Sequence, residues 1–210
     1  MIKVIRLPIP PILQRKAKEW RSRLLLAKTA KEHKFAESRY KHEQIKQTLI
    51  TMFHGKCAYC ESKIAHVDYG HIEHFKPKSA FPKWTFKWSN LFLACGICNG
   101  AEFKGNRFPG PKLGGPLVNP CDDEPNEHFR FEFDPRTGLA SVDGISIRGE
   151  LTEKLLGLNR RELRAYRSAQ IRKIFYIANR AKTDAEAAAL LDEAKKDDAA
   201  YAAFVRALQL

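Results

Sequence analysis

Four cysteines stand in two Cys-x-x-Cys pairs, Cys57-Ala-Tyr-Cys60 and Cys95-Gly-Ile-Cys98, with 34 residues between them. Each pair forms a tight knuckle whose thiolates turn to one side. Two knuckles complete a closed tetrahedral set suited to structural zinc. Such a site supplies folding free energy to a segment with little core of its own. The competing readings are four buried cysteines without metal and a redox Cys-x-x-Cys; no strand–helix–strand pattern surrounds either pair, which argues against the second. Cys121 stands outside the set. Zinc alone does not imply catalysis, because many such sites only hold a ribbon that binds nucleic acid or protein. Chemistry has to come from His71-Ile-Glu73-His74 between the knuckles, from Asn90 shortly before Cys95, and from Asn99 directly after Cys98. A histidine titrates near pH 6.5, so it suits base chemistry at neutral pH. On a strand Glu73 and His74 point to opposite faces, so a bend must re-aim one of them if they act together. Each also has a plainer role, as an exposed strand pair, a turn brace or a helix cap.

The elements that would position these residues can be read from periodicity. Residues 1–11 are extended and Pro-rich, and residues 12–53 are helical, with Trp20, Leu24, Ala27 and Ala30, then Ile45, Leu49 and Met52, at helical spacing. A break near 33–38 divides that stretch into two helices or kinks one. Gly55 stands where a helix C′ glycine belongs. Residues 56–108 are rich in Cys, His and aromatics, with only short candidate strands such as His71–Phe75. A Gly/Pro-rich loop follows, then a hairpin over 129–143. Beyond residue 150 the chain is helical again. Gly157 ends one helix, Asn159 with Glu162 caps the next, and Thr183 with Glu186 precedes an Ala-rich helix ending near Leu208. The expected fold is α+β and mostly helical: a small zinc-stapled core over 54–120, flanked by a helical extension (1–53) and by a hairpin with helices (121–210), packed as one compact unit.

The chain has 210 residues, 44% of them hydrophobic, and a net charge of +13. It can therefore bury a core, and its charge suits a polyanionic partner through counterion release. No apolar run is long enough to span a membrane, and the Pro-broken start does not form a signal peptide; the expected location is the cytoplasm. Lys76, Lys78, Lys83 and Lys87 alternate with Phe75, Phe81, Trp84, Phe86 and Trp88, a mixture that suits a groove tracking a nucleic-acid backbone or a small core with solvated lysines. Arg160, Arg161, Arg164, Arg167, Arg172 and Lys173 form a basic helix face for phosphate or for a partner protein.

The strings CAYCE, IEHFKPKS, WSNLFLACGICN, KGNRFP and LGLNR resemble the zinc-bearing form of the HNH (ββα-metal) endonuclease family. More specifically they resemble the PtuB-type HNH subunit of Septu and retron-associated anti-phage systems, densely over 53–120 and loosely to about residue 175. The resemblance implies His74 as general base, Glu73 and Asn99 as ligands of a catalytic Mg²⁺ or Mn²⁺, and Asn90 as a brace. Zinc would lie on Cys57, Cys60, Cys95 and Cys98, and Lys76, Lys78, Lys104 and Arg107 would contact nucleic acid. One departure is that Lys104 lies five residues beyond Asn99, where many members of the family place a lysine about three beyond. The implied function is metal-dependent cleavage of nucleic acid, DNA with low sequence specificity, under control of a PtuA-like ATPase subunit. A retron reverse transcriptase and its DNA are further implied partners. The alternatives are an RNA- or tRNA-cleaving effector and a non-catalytic zinc module. No GxxxxGK[ST] loop is present, so nucleotide control would come from another chain.

Overall fold

The computed structural model describes residues 1–64 and 66–208 and is α+β, about half of it helical. Two compact units are seen. One comprises Val4–Ala58 and Ile64–Phe108, the other Met1–Lys3, Tyr59–Lys63 and Pro109–Leu210. The helices of the first 53 residues thus share a unit with the histidine strand and do not stand apart as an extension. Among the described residues no helix is long and apolar enough to cross a membrane.

In the first unit, α1 (Pro11–Leu26) opens with Pro at its first position, where the missing N–H would have had no helical partner. It buries Leu13, Trp20 and Leu24. The chain breaks earlier than expected, at 27–29, because Thr29 and Glu32 form a reciprocal capping box that starts α2 (Ala30–Glu37). A 3₁₀ turn, Ser38–Lys41, then leads into α3 (Glu43–Met52), which buries Ile45, Leu49 and Met52. Gly55 has φ +66° and its N–H donates to the Ile50 carbonyl at 2.8 Å, the expected helix-ending role. β1 (His71–His74) pairs antiparallel with β2 (Leu91–Ala94), in the register Glu73 opposite Phe92 and His74 opposite Leu91. β2 is wholly buried. It runs into α4 (Gly96–Asn99), a single turn.

The second unit holds the expected hairpin, β3 (Phe129–Asp134) with β4 (Leu139–Gly144). It is followed by α5 (Ile147–Leu156), α6 (Arg161–Ala181), α7 (Ala185–Lys195) and α8 (Ala202–Ala207). Gly157, at φ +54°, ends α5 as expected. Asn159 does not cap α6. Its carboxamide joins the hairpin instead, donating to the Val142 carbonyl at 2.7 Å and accepting from the Val142 N–H at 3.0 Å. Nor does Thr183 cap α7; Asp184 does, accepting from the Glu186 and Ala187 N–H groups. The expected final helix is two helices, with Tyr201 in the left-handed region at the start of the second.

Arg167 departs furthest from the expected basic face. It is 1% exposed. Its guanidinium donates to the carbonyls of Ala140 (2.7 Å) and Leu158 (2.7 Å) and to Asn159 Oδ1 (2.9 Å), and lies 4.8 Å from the Phe204 ring centroid. Burial pulls its pKa down to about 10, so it stays charged at neutral pH. Arg161, Arg172 and Lys173 remain exposed on α6. Arg167→Lys keeps the charge but cannot reproduce the planar fork. It is expected to cost about 2–4 kcal/mol by leaving buried carbonyls without donors, read as a lower urea midpoint.

Candidate active site

β1 ends at His74, and Glu73 and His74 line one cleft of about 310 Å³ together with Tyr40, Lys78, Asn99 and Asn106. Strict alternation would have set the acid and the histidine on opposite faces. The strand is only four residues long, and the chain bends just beyond it, at Phe75 and Lys76.

His74 is 5% exposed. Its Nε2 lies 3.0 Å from the Thr85 carbonyl. A carbonyl can only accept, so Nε2 carries the hydrogen, and a neutral ring then has its lone pair on Nδ1. Burial, the largest cause, pulls the imidazole pKa down to about 4. The ring is therefore neutral at physiological pH. Tyr40, from the 3₁₀ turn after α2, stands edge-on to it at 4.6 Å between centroids. Burial raises the Tyr40 pKa, so its hydroxyl stays protonated.

Asn90 is 2% exposed and ties the loop between the strands to itself. Its Oδ1 accepts from the Lys76 N–H at 2.7 Å, while Nδ2 donates to the carbonyls of Lys76 (3.0 Å) and Trp84 (3.2 Å). Those bonds hold the segment that presents the Thr85 carbonyl. Asn99 lies at the end of α4, not at its start, and faces the same cleft half-buried.

The four lysines and arginines expected on nucleic acid are placed very differently. Lys104 is fully buried, ion-paired with Glu73, and donates to the His74 carbonyl at 3.0 Å. A buried, paired ammonium is not placed for contact with phosphate. Lys78 lines the cleft and is paired with Glu37 of α2 at 2.7 Å. Lys76 is half-buried with its ammonium 3.8 Å from the Trp84 ring centroid. Arg107 is exposed, and its guanidinium also caps the carbonyl of Ala101. His71 is exposed at the outer end of β1, away from the cleft-lining set. Tyr40, Thr85 and Glu37 were not singled out from sequence. Nothing in their spacing marks them, since each arrives through the tertiary fold.

The Sγ atoms of Cys57, Cys60, Cys95 and Cys98 all lie within 4.8 Å of one another, and three of the four residues are buried. Tetrahedral zinc with bonds of about 2.3 Å needs sulfurs about 3.8 Å apart, so small inward shifts suffice and the donor set fits. The second knuckle is preformed, with the Cys98 N–H donating to Cys95 Sγ at 3.4 Å. The first is tied to β2 by the Ala58 N–H on the Leu93 carbonyl at 2.8 Å. Cys121 is not in the cluster, and none of the five cysteines forms a disulfide. Metal analysis of the purified protein is expected to find zinc. Cys98→Ser or strong chelation should remove it and lower Tm by at least ~10 °C, because metal binding here is folding free energy.

The HNH endonuclease family model matches residues 57–105, the segment holding both knuckles and the cleft. The chain is 37% identical to the Septu protein PtuB of Bacillus mycoides (strain KBAB4), over 63% of this chain and 52% of the relative. It is 32% identical to the Septu protein PtuB of Bacillus thuringiensis, over 58% and 44%. Against a retron Vc95 HNH endonuclease of Vibrio cholerae serotype O1 biovar El Tor the identity is 30%, over 66% of this chain and 68% of the relative. The chain thus spans about half the length of the PtuB relatives it matches. With the knuckles and the Glu73–His74 strand inside the matched segment, the chain is similar to PtuB proteins and belongs to the HNH endonuclease family.

Proposed function

We propose that this chain is a metal-dependent endonuclease in which His74 is the general base. The observation that carries the proposal is the His74 Nε2–Thr85 carbonyl bond, which fixes the tautomer and leaves Nδ1 to take a proton from water in the cleft. The ring is already neutral at working pH because it is buried. Glu73 and Asn99 line the same cleft. One carboxylate and one amide suit Mg²⁺ or Mn²⁺, which keeps several waters and takes phosphate oxygens as further ligands. A cation there supplies stabilisation of the charge that develops on the leaving oxygen. Asn90 positions the base through the loop that carries Thr85, and Tyr40 walls one side of the ring.

The substrate we favour is DNA, cut with low sequence specificity. The net charge of +13 supports a polyanion, and no base-reading element is evident in the sequence. RNA, including tRNA, is the second reading, favoured by nothing specific in the cleft. The resemblance to PtuB-type HNH subunits, alongside similarity to Septu and retron proteins, supports a role in anti-phage defence with a PtuA-like ATPase partner, in some settings beside a retron reverse transcriptase and its DNA. Activity is accordingly to be assayed with that partner present as well as without it.

With Mg²⁺ or Mn²⁺, cleavage of plasmid DNA, single strands and tRNA should rank DNA first. His74→Ala should lower the rate at least ~100-fold while zinc content stays unchanged; equal cutting by the variant would refute the assignment of the base. The pH profile carries a separate expectation. The base works while neutral and is lost as pH falls through about 4. The plot of log kcat/KM should therefore stay level through pH ~6.5, where an ordinary histidine would turn it down.

A further inference from the structure

Lys104 is a buried charged group beside the cleft to which the proposed mechanism gives no task. It is 0% exposed. Its ammonium is paired with the Glu73 carboxylate and also holds the His74 carbonyl at 3.0 Å. Its own N–H donates to the Cys98 carbonyl at 3.2 Å, so the residue is anchored to the second cysteine knuckle. Glu73 is itself 4% exposed. A lysine buried this deeply is costly unless it is paired and hydrogen-bonded, and here its ammonium engages the two neighbouring residues of β1 that line the cleft.

Two consequences follow from charge and distance. The ammonium fixes the Glu73 carboxylate and the backbone of His74 as one piece, which sets how acid and base stand relative to each other. It also cancels the charge of Glu73. A divalent cation beside that carboxylate would feel the ammonium at close range in a poorly solvated site, where repulsion is only weakly screened. Protein ligands alone would then hold the cation weakly, and the negative charge of a phosphate would be needed to complete the site.

We propose that Lys104 is a positioning residue that neutralises Glu73, so that the cleft takes up its divalent cation tightly only together with the phosphate of the substrate. This rests on Glu73 being a ligand of that cation. The test is a titration of zinc-loaded protein with Mn²⁺ alone, followed by electron paramagnetic resonance, with no nucleic acid present. Lys104→Gln keeps N–H donors near Glu73 and the His74 carbonyl but removes the charge; Lys104→Met removes both. Each is expected to bind Mn²⁺ at least ~10-fold more tightly than the wild type, and Mn²⁺ should raise Tm more in the variants than in the wild type. Unchanged or weaker binding overturns the proposal. So does loss of fold and zinc in both variants, which would make Lys104 structural only. A phosphorothioate oligonucleotide should tighten Mn²⁺ binding to the wild type, and no tightening overturns the coupling to substrate. Glu73→Gln separates the two levels. If it binds Mn²⁺ as the wild type does, Glu73 is not a ligand and the nuclease reading of this residue fails. If it abolishes binding while Lys104→Gln fails to tighten it, only the role of Lys104 fails.

Discussion

The hydrogen bond from His74 Nε2 to the Thr85 carbonyl decides which nitrogen of the ring has a lone pair, and the segment between β1 and β2 is tied so as to hold it. Thr85 is held by its own hydroxyl on the Pro82 carbonyl at 2.9 Å. The preceding residue, Trp84, gives its carbonyl to Asn90. Asn90 also closes on both polar backbone groups of Lys76. The segment between the two four-residue strands is thereby held so that it presents one carbonyl at a fixed place, above a core that includes Phe75, Phe86, Trp88 and the whole of β2. The cysteine knuckles serve the same end from the other side, because β2 leads directly into the second of them.

Among the described residues, each unit buries a cationic side chain that donates to backbone carbonyl oxygen. Arg167 spans the carbonyls of Ala140 and Leu158, and Lys104 spans Glu73 and the His74 carbonyl. The two cases differ in chemistry. The flat guanidinium joins several acceptors of a hairpin and a helix end, which is a structural task. The ammonium is a point charge beside a carboxylate in a cleft, which alters the electrostatics where a substrate would sit. A strongly basic chain therefore spends some of its positive charge inside, where it organises polar backbone and is not available to a polyanion.

Much of this was legible in the chain itself. The Cys-x-x-Cys pairs, the Glu73-His74 dipeptide and Asn90 lie in one short stretch, so local spacing was enough to group them. The hairpin and the α5 terminus at Gly157 follow from local turn chemistry. What spacing could not give was burial. Lys104 reads as a surface lysine, and only the return of residues 100–106 against β1 hides it. Helix caps make the same point: Thr29–Glu32, Asn159–Glu162 and Thr183–Glu186 share one signature, but only the first forms a capping box. The second lost its asparagine to hydrogen bonds with β4, and the third lost its place to the neighbouring Asp184. A local motif worth about 1 kcal/mol thus yields to a tertiary partner in the one case and to an adjacent cap in the other.

The edge-on ring of Tyr40 has a practical consequence for anyone trimming this chain. A fragment trimmed to the matched segment would carry the histidine, the acid, both asparagines and all four clustered cysteines, and would look complete as a string of letters. It would lack the wall of the histidine pocket, which comes from the turn between α2 and α3, and also Glu37, the partner of Lys78. Water would then reach the imidazole, and its acidity would drift back toward that of an ordinary surface histidine. In this chain the boundary of the motif and the boundary of the working pocket are different places.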